Sequence, residues 1–128
     1  EGRLFMEGII FVGLGGFFGA SLRYLLGRAV SAPGVIPAAT LAINIFGSFV
    51  IGALSLISER YGLARHSLIL MLQAGFCGGF TTFSTFSLET FSLISQGKIV
   101  TAALYAILSV LCCLLSVAAG RALAGLCI

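Results

Sequence analysis

Charged residues are scarce in this sequence, and tryptophan is absent. Only 9% of the 128 residues are charged, whereas 59% are hydrophobic and the mean hydropathy is +1.17. A soluble domain is about 25% charged, so these few ionisable side chains cannot cover a globule of 13.3 kDa. The net charge of +3 is too small to indicate nucleic-acid binding. The composition therefore excludes a soluble enzyme, a nucleic-acid-binding domain and a disordered chain, and it indicates an integral membrane protein.

The cysteines and the single histidine lack the spacing of a metal site. Cys77 stands alone, Cys112 and Cys113 are adjacent, Cys127 lies near the C-terminal end, and His66 has no ligand residue nearby in sequence. No Cys-x-x-Cys pair is present. No nucleophile and base are paired either. We therefore expect the cysteines to be small apolar fillers in lipid-facing helices, and we expect no enzymatic activity.

Four apolar runs are long enough to cross a bilayer, which requires about 20 residues per helix. The runs cover residues 8–26, 37–57, 68–94 and 99–123, and short polar segments at 31–34, 58–66 and 95–98 separate them. The segment 58–66 is predicted to be the longest loop. Pro37 is predicted to lie in the first turn of the second helix, where proline is tolerated. The sequence thus predicts a single all-α membrane domain over residues 1–128, with four antiparallel transmembrane helices.

Small residues recur four positions apart along these spans. The pairs are Gly15 and Gly19, Gly16 and Ala20, Ser48 and Gly52, and Gly75 and Gly79. Such ridges allow two helix backbones to approach closely. Four helices enclose little interior space, so an ion path is expected to need a second subunit.

The distribution of positive charge predicts no fixed orientation in the membrane. With both termini on one side, that side carries four arginines and the other side carries three basic residues. The first set is Arg3, Arg60, Arg65 and Arg121, and the second is Arg23, Arg28 and Lys98. Orientation normally follows an excess of Lys and Arg on one side. The near balance allows insertion either way, and with it an antiparallel homodimer.

The middle of the third span is unusually polar for a membrane helix. Gly78 and Gly79 weaken the helix, and five hydroxyl side chains follow within residues 81–87. Irregular backbone at membrane depth is tolerated only where it is buried in protein or lines an aqueous path. A helix broken here would free carbonyls that suit a small cation and amides that suit an anion. The alternative is a well-packed Gly/Thr interface in which threonines bond back to their own helix.

Phe83, Phe86 and Asn44 are the first candidates for contact with an ion. The two phenylalanines are three residues apart and share one helix face. The positive edges of their rings can stabilise an anion without a full charge, although lipid contact or core packing is equally open. The Asn44 amide can donate to an anion in transit or form an interhelical hydrogen bond.

Four further polar residues lie in or near the spans. Arg23 can draw anions to a vestibule or extend to the headgroups, and Glu89 follows the hydroxyl stretch towards the end of the third span. Tyr105 and Ser109 are four residues apart on the fourth span and share a face. They form either a polar track or a packed Tyr–Ser pair.

Taken together, three motifs resemble those of the Fluc family of fluoride channels (CrcB-type). The motifs occupy residues 15–24, 44–47 and 75–87, and the string Gly-Gly-x-Thr-Thr-Phe-Ser-Thr-Phe in the last is long and unusual. The length and four-span layout fit along the whole chain. The fourth span matches only loosely. One departure is that Cys113 stands where a hydroxyl would continue the row of Tyr105 and Ser109.

The resemblance implies a passive fluoride channel that confers fluoride resistance by export across a bacterial-type plasma (inner) membrane. It implies an antiparallel, dual-topology homodimer with two pores and a structural sodium ion on the dimer axis. The implied sodium ligands are the backbone carbonyls of Gly78 and Thr81 from both subunits. The implied pore residues are Phe83, Phe86, Asn44, Ser84 and Thr85, with Thr40, Glu89, Tyr105 and Ser109 along the polar route. Arg23 is implied to be a vestibule and structural residue.

Two other membrane functions compete with this interpretation. A small proton-coupled multidrug exporter also has four spans, but it needs a carboxylate deep in the membrane, whereas Glu7 and Glu89 lie towards span ends. A non-transporting subunit of a larger complex leaves the Thr/Ser/Phe stretch unexplained. Flux through purified protein separates a channel from an exporter, and cross-linking of the protein alone tests for a subunit.

Overall fold

The computed structural model describes residues 2–30, 34 and 36–128, and of residues 2–4 it describes the backbone alone. All the regular elements in these residues are helical. Helices α1 (Gly2–Ala29), α2 (Ala38–Tyr61) and α6 (Ile99–Cys127) are continuous, whereas the third span is divided. It consists of α3 (Ser67–Leu70), a π-helical segment (Met71–Cys77), α4 (Gly78–Phe80) and α5 (Phe83–Ser95).

Four helical stretches are long and apolar enough to cross a membrane, as the sequence predicted. They cover Phe5–Ala29, Ala38–Tyr61, Ser67–Ser95 and Ile99–Cys127. Each helical stretch extends past at least one end of the apolar run predicted for it. A helix can continue through the headgroup region after its apolar stretch ends. The predicted turn is observed between Ser95 and Ile99, where Gly97 has a φ of 75°. Residues 31–33 of the other predicted turn lie outside the described residues.

Two predictions about α2 were wrong in detail. Pro37 caps the helix rather than occupying its first turn, and its carbonyl accepts a bond from the Leu41 amide (3.2 Å). Residues 58–61, predicted to start the longest loop, form the last turn of α2, which Gly62 ends with a φ of 63°. Glu59 in this turn pairs with Arg121 on α6 (2.8 Å), a partner that is distant in sequence. An exposed pair of this kind contributes about 0–1 kcal/mol.

The helices pack as two pairs through the predicted small-residue ridges. Helix α2 packs most extensively on α6, while α1 packs on the π-helical segment and α4. A Cβ added at Gly79 would lie 2.7 Å from the Gly16 carbonyl oxygen, and one at Gly75 would lie 2.7 Å from that of Val12. At Gly52 a Cβ would collide with the Val117 backbone on α6. The close backbone approach predicted for these glycines is confirmed.

Two consecutive residues of the third span have extended backbone geometry. Thr81 has φ −80° and ψ 158°, and Thr82 has φ −148° and ψ 118°. Three local features favour this geometry: the preceding glycines lower helix stability, the threonines are β-branched, and their hydroxyls compete for backbone groups. The π-helical segment just before it, in which the Gly78 amide bonds to the Gln73 carbonyl, is a further departure from α-helix. Such segments are frequent at functional sites.

Candidate functional site

The side chain of Asn44 on α2 forms hydrogen bonds with both backbone polar groups of Thr82, one of the two extended residues. Its amide nitrogen donates to the Thr82 carbonyl (3.1 Å), and its amide oxygen accepts from the Thr82 N–H (2.8 Å). One side chain thereby replaces the two hydrogen bonds that a continuous helix would have given Thr82. The second N–H of the amide is not used by this pairing. The interhelical hydrogen bond expected as one alternative for Asn44 is therefore present.

Arg23 on α1 likewise donates a hydrogen bond to a backbone group that lacks its helical partner, the carbonyl of Gly79. In a continuous helix this carbonyl would accept from the amide of residue 83, which instead opens α5. The Nε of Arg23 donates to it at 3.0 Å. The half-buried Arg23 thus supports the extended segment through this bond.

The carbonyls of Gly78 and Thr81 have lost their usual helical donors. For Gly78 that donor is the Thr82 N–H, which bonds to Asn44. For Thr81 it is the Thr85 N–H, which donates instead to the Thr82 hydroxyl (3.1 Å). Two oxygens that attract positive charge therefore lie at the first residue of α4 and at the residue that follows this helix.

The hydroxyls of the stretch divide into two structural roles. Thr81 bonds back to its own helix, donating to the Cys77 carbonyl at 2.8 Å, as the packing alternative expected. Thr82 caps α5 and also donates to the Thr85 hydroxyl (3.0 Å), with the Ser84 hydroxyl 3.4 Å away. Ser84 and Thr85 therefore gather around Thr82 at the start of α5.

Glu89, near the middle of α5, places its carboxylate between two hydroxyl groups from other helices. Oε1 of Glu89 accepts from Thr40 on α2 (2.8 Å), and Oε2 accepts from Tyr105 on α6 (2.7 Å). Thr40 and Tyr105 are 7% and 0% exposed, so this end of the polar route is enclosed by protein. Three of the four residues predicted for the route thus come together from three helices, whereas Ser109 forms no hydrogen bond with them.

An aromatic row connects this cluster with the extended segment. The ring centroids of Phe86 and Tyr105 are 5.3 Å apart, and those of Phe83 and Phe86 are 5.5 Å apart. Phe86 is half-buried, whereas Phe83 is 78% exposed in the single chain. Phe83 therefore has a free ring at the protein surface, and Phe86 is held between it and Tyr105.

Two cavities flank the extended segment, and Thr82 lines both. The first, which we call the vestibule, has a volume of about 750 Å³. Its polar lining includes Arg23, Arg28, Lys98, Thr40, Thr85 and Glu89. The second, the aromatic cavity, has a volume of about 290 Å³ and is lined by Asn44, Phe83, Phe86, Gly78, Thr81, Ser109, Cys77 and Cys113 among others. Positive side chains outnumber the carboxylate in the vestibule, which favours anions there.

The sequence led us to expect lipid-facing cysteines, and this expectation was wrong for at least one of them. Cys77 is 1% exposed and packs inside the bundle, because it lies on the closely packed face of the third span. Cys113 is half-buried and lines the aromatic cavity. Across the residues that the structure describes, no three His, Cys, Asp or Glu side chains gather as a metal site.

Sequence reasoning missed two residues that organise the structure. Thr82 was noted only as one of five hydroxyls, yet it caps α5 and pairs with Asn44. A Ser or Thr directly before a helical run is a signal that could have identified it. Arg121 was noted only as a charge, and it bonds Glu59 and Ser55 on α2 (2.8 Å to Ser55). No local sequence signal indicates that pairing.

We expect the Asn44→Leu substitution to lower the free energy of unfolding in detergent micelles by at least about 2 kcal/mol. Leucine leaves the N–H and the carbonyl of Thr82 without these partners, at about 1–3 kcal/mol for each buried group. Ser116→Ala is the matched control, because it removes one interhelical bond to the Ile45 carbonyl (2.7 Å), and it should cost less than about 1.5 kcal/mol. Equal losses in the two variants would contradict this account of Asn44.

The fold and the site together define a small four-span membrane protein with polar and aromatic groups around an extended segment. The family described as "CrcB-like protein, Camphor Resistance (CrcB)" matches residues 10–121. A protein of Methanocaldococcus jannaschii named fluoride-specific ion channel FluC is 42% identical over 91% of this chain and 93% of its own length. A protein of the same name from Ruminiclostridium cellulolyticum is 44% identical over 93% of both chains. One from Oceanobacillus iheyensis is 45% identical over 78% of both.

The chain belongs to the CrcB-like family. It is a multi-pass membrane protein. The resemblance drawn from the sequence motifs is thereby confirmed. The relatives' names describe an ion channel rather than an enzyme, in agreement with the expected absence of enzymatic activity.

Proposed function

We propose that this protein is a passive, fluoride-selective channel. The observation that carries the proposal is the continuity of polar and aromatic groups around the extended segment, from the basic vestibule to the aromatic cavity. The named function of three relatives that share 42–45% of their aligned residues with this chain supports it. Fluoride enters from the vestibule, passes the Thr82 region and leaves along the rings.

The chemistry of the lining suits a small, strongly hydrated anion. Fluoride loses water on entering a narrow path, so the protein must replace those hydrogen bonds with its own donors. Ser84, Thr85, Ser109 and the second amide N–H of Asn44 are available donor groups, and the ring edges of Phe83 and Phe86 carry partial positive charge. None of these groups has a full positive charge, so the anion is stabilised without being trapped. Chloride is excluded by its size and its weaker hydrogen bonds.

Thr40, Glu89 and Tyr105 form the other part of the polar route. Both hydroxyls donate to the carboxylate (2.8 and 2.7 Å), which stabilises its negative charge between the helices. A hydroxyl can rotate from the carboxylate to a passing anion without moving the backbone. Glu89 thus holds two donors in position, and Arg23, Arg28 and Lys98 offset its charge in the vestibule.

The working unit is an antiparallel homodimer with two pores and dual topology. Phe83 is 78% exposed, and Gly78 is exposed as well. The aromatic cavity is open along one side of the single chain. A second copy packed on this face would cover the ring of Phe83 and close a path on each side of the dimer axis.

A structural sodium ion at the dimer centre fits the backbone of the extended segment. The carbonyls of Gly78 and Thr81 have lost their helical donors to Asn44 and Thr82, and uncommitted carbonyl oxygens suit a hard cation. Sodium would supply positive charge that holds these oxygens, from both subunits, together. The fold of the single chain depends on Asn44 and Arg23, which bond the neighbouring backbone directly.

Fluoride moves outward through this channel across the plasma (inner) membrane. Hydrogen fluoride crosses the bilayer as a neutral weak acid and dissociates inside, and the membrane potential then drives the anion out. No coupling to a second ion is needed. The channel therefore protects the cell against fluoride.

Anion efflux from liposomes containing the purified protein tests this function. With the potential set by potassium and valinomycin, we expect fast fluoride release, no chloride release and no dependence on a pH gradient. The half-buried Glu89 carboxylate, bonded to the buried Tyr105 hydroxyl, is a feature that favours a proton-coupled exporter. Flux that requires a proton gradient would support that exporter, and absence of any flux would overturn the channel.

A further inference from the structure

The aromatic cavity contains a buried hydroxyl that lacks a hydrogen-bond partner. Ser109 on α6 is 6% exposed, and its Oγ bonds to no group in the described part of the chain. A buried polar atom left unpaired costs about 1–3 kcal/mol, so such atoms normally have a ligand or water. Ser109 lines the cavity together with Phe83 and Phe86. The unpaired hydroxyl therefore marks a position in the cavity where a hydrogen-bonding ligand or a water molecule fits.

A thiol lies one helical turn further along the same face. Cys113 is four residues after Ser109 on α6, is half-buried, and lines the same cavity. Residues four apart on a helix lie one above the other. Cys112, its neighbour in sequence, is also half-buried but does not line this cavity. The two adjacent cysteines therefore face different surroundings.

We propose that Cys113 is a modification site for small, uncharged thiol-reactive electrophiles, and that capping its thiol closes the anion path. The proposal rests on the function proposed above. The thiol is small and is a weak hydrogen-bond donor, so an anion that has passed Ser109 can move beside it. A capped sulfur has no donor, and the added group fills part of a cavity of only about 290 Å³.

Methyl methanethiosulfonate is a suitable probe of this chemistry. The Cys113 sulfur, after losing its proton to water, attacks the divalent sulfur of the reagent, which carries one of its two methyl groups. A disulfide bond forms, the bond to the sulfonyl sulfur breaks, and methanesulfinate leaves with the electron pair. The cysteine sulfur is oxidised and the sulfonyl sulfur is reduced, so no other oxidant is required. A dithiol such as dithiothreitol reduces the new disulfide and restores the thiol.

The experiment compares fluoride efflux before and after treatment of the full-length protein in liposomes. We expect the reagent to reduce wild-type efflux at least tenfold, and dithiothreitol to restore it. Peptide mass spectrometry is expected to find a methylthio group on Cys113 and none on Cys77, which is 1% exposed. The Cys113→Ser variant should keep the same efflux before and after treatment. Cys112→Ser, the matched control, should remain as sensitive as the wild type.

Three results would overturn the proposal. These are an unmodified Cys113, full modification of Cys113 without a change in efflux, and equal inhibition of the Cys113→Ser variant. Failure of the channel function gives a different result, because no fluoride flux would then be seen before the reagent is added. In that case the mass spectrum still decides whether Cys113 is the reactive site.

Discussion

The Phe86→Ile variant is expected to release fluoride from liposomes at least about a hundredfold more slowly than the wild type. A hundredfold change corresponds to about 2.7 kcal/mol in the barrier. Isoleucine retains an apolar side chain but lacks the partial positive charge of a ring edge. The Phe86 ring lies between Phe83 and Tyr105, with centroid distances of 5.5 and 5.3 Å, so its loss interrupts the aromatic row. Phe83→Ile is expected to act in the same direction.

Phe91→Ile is the matched control for this experiment. Phe91 is on the same helix, is 67% exposed and lines neither cavity, so its replacement should leave fluoride efflux unchanged. Size-exclusion chromatography should give the same elution volume for all the variants, which separates loss of the path from loss of assembly. Wild-type efflux in both Phe83→Ile and Phe86→Ile would remove these rings from the mechanism.

The Gly19→Ala substitution is expected to lower the free energy of unfolding by at least about 2 kcal/mol. A Cβ at this position would lie 2.9 Å from the Phe80 amide nitrogen and would collide with the Phe76 carbonyl. These are backbone atoms, which cannot rotate away, so α1 and the third span must separate. Overpacking of this kind costs about 1–3 kcal/mol, and more where the neighbour is rigid. Phe80 directly precedes the extended residues, so fluoride efflux should fall as well.

Gly13→Ala provides the comparison on the same helix. A Cβ there would meet no atom within 4 Å, and replacing a helical glycine by alanine in open space is neutral or favourable by up to about 1 kcal/mol. Denaturant titration in detergent micelles measures both variants. Equal effects at the two glycines would show that the close approach of α1 to the third span contributes nothing specific.

The sequence predicted some features of the candidate site but not others. The Gly-rich and hydroxyl-rich composition of residues 75–87 singled out this segment, and the shared face of Phe83 and Phe86 followed from their spacing. The contacts of Asn44 and Arg23 did not follow, because each side chain had two open alternatives. Their bonds join residues 38 and 56 positions apart. The roles of these residues in fluoride passage stay predictions until flux is measured.

The sequence by itself determined that the chain crosses a membrane four times, since each crossing needs only an apolar run of sufficient length. It also identified several glycines that lie at helix contacts, because small residues four apart form one ridge, but it did not identify the tightly packed Gly47 and Gly120. Only the tertiary structure decided which polar groups meet. The Asn44–Thr82 pairing, the Glu89 cluster and the position of Cys113 in the aromatic cavity depend on how each helix is rotated and shifted against its neighbours. Rotation and shift follow from packing between distant segments, and no local pattern of residues encodes them.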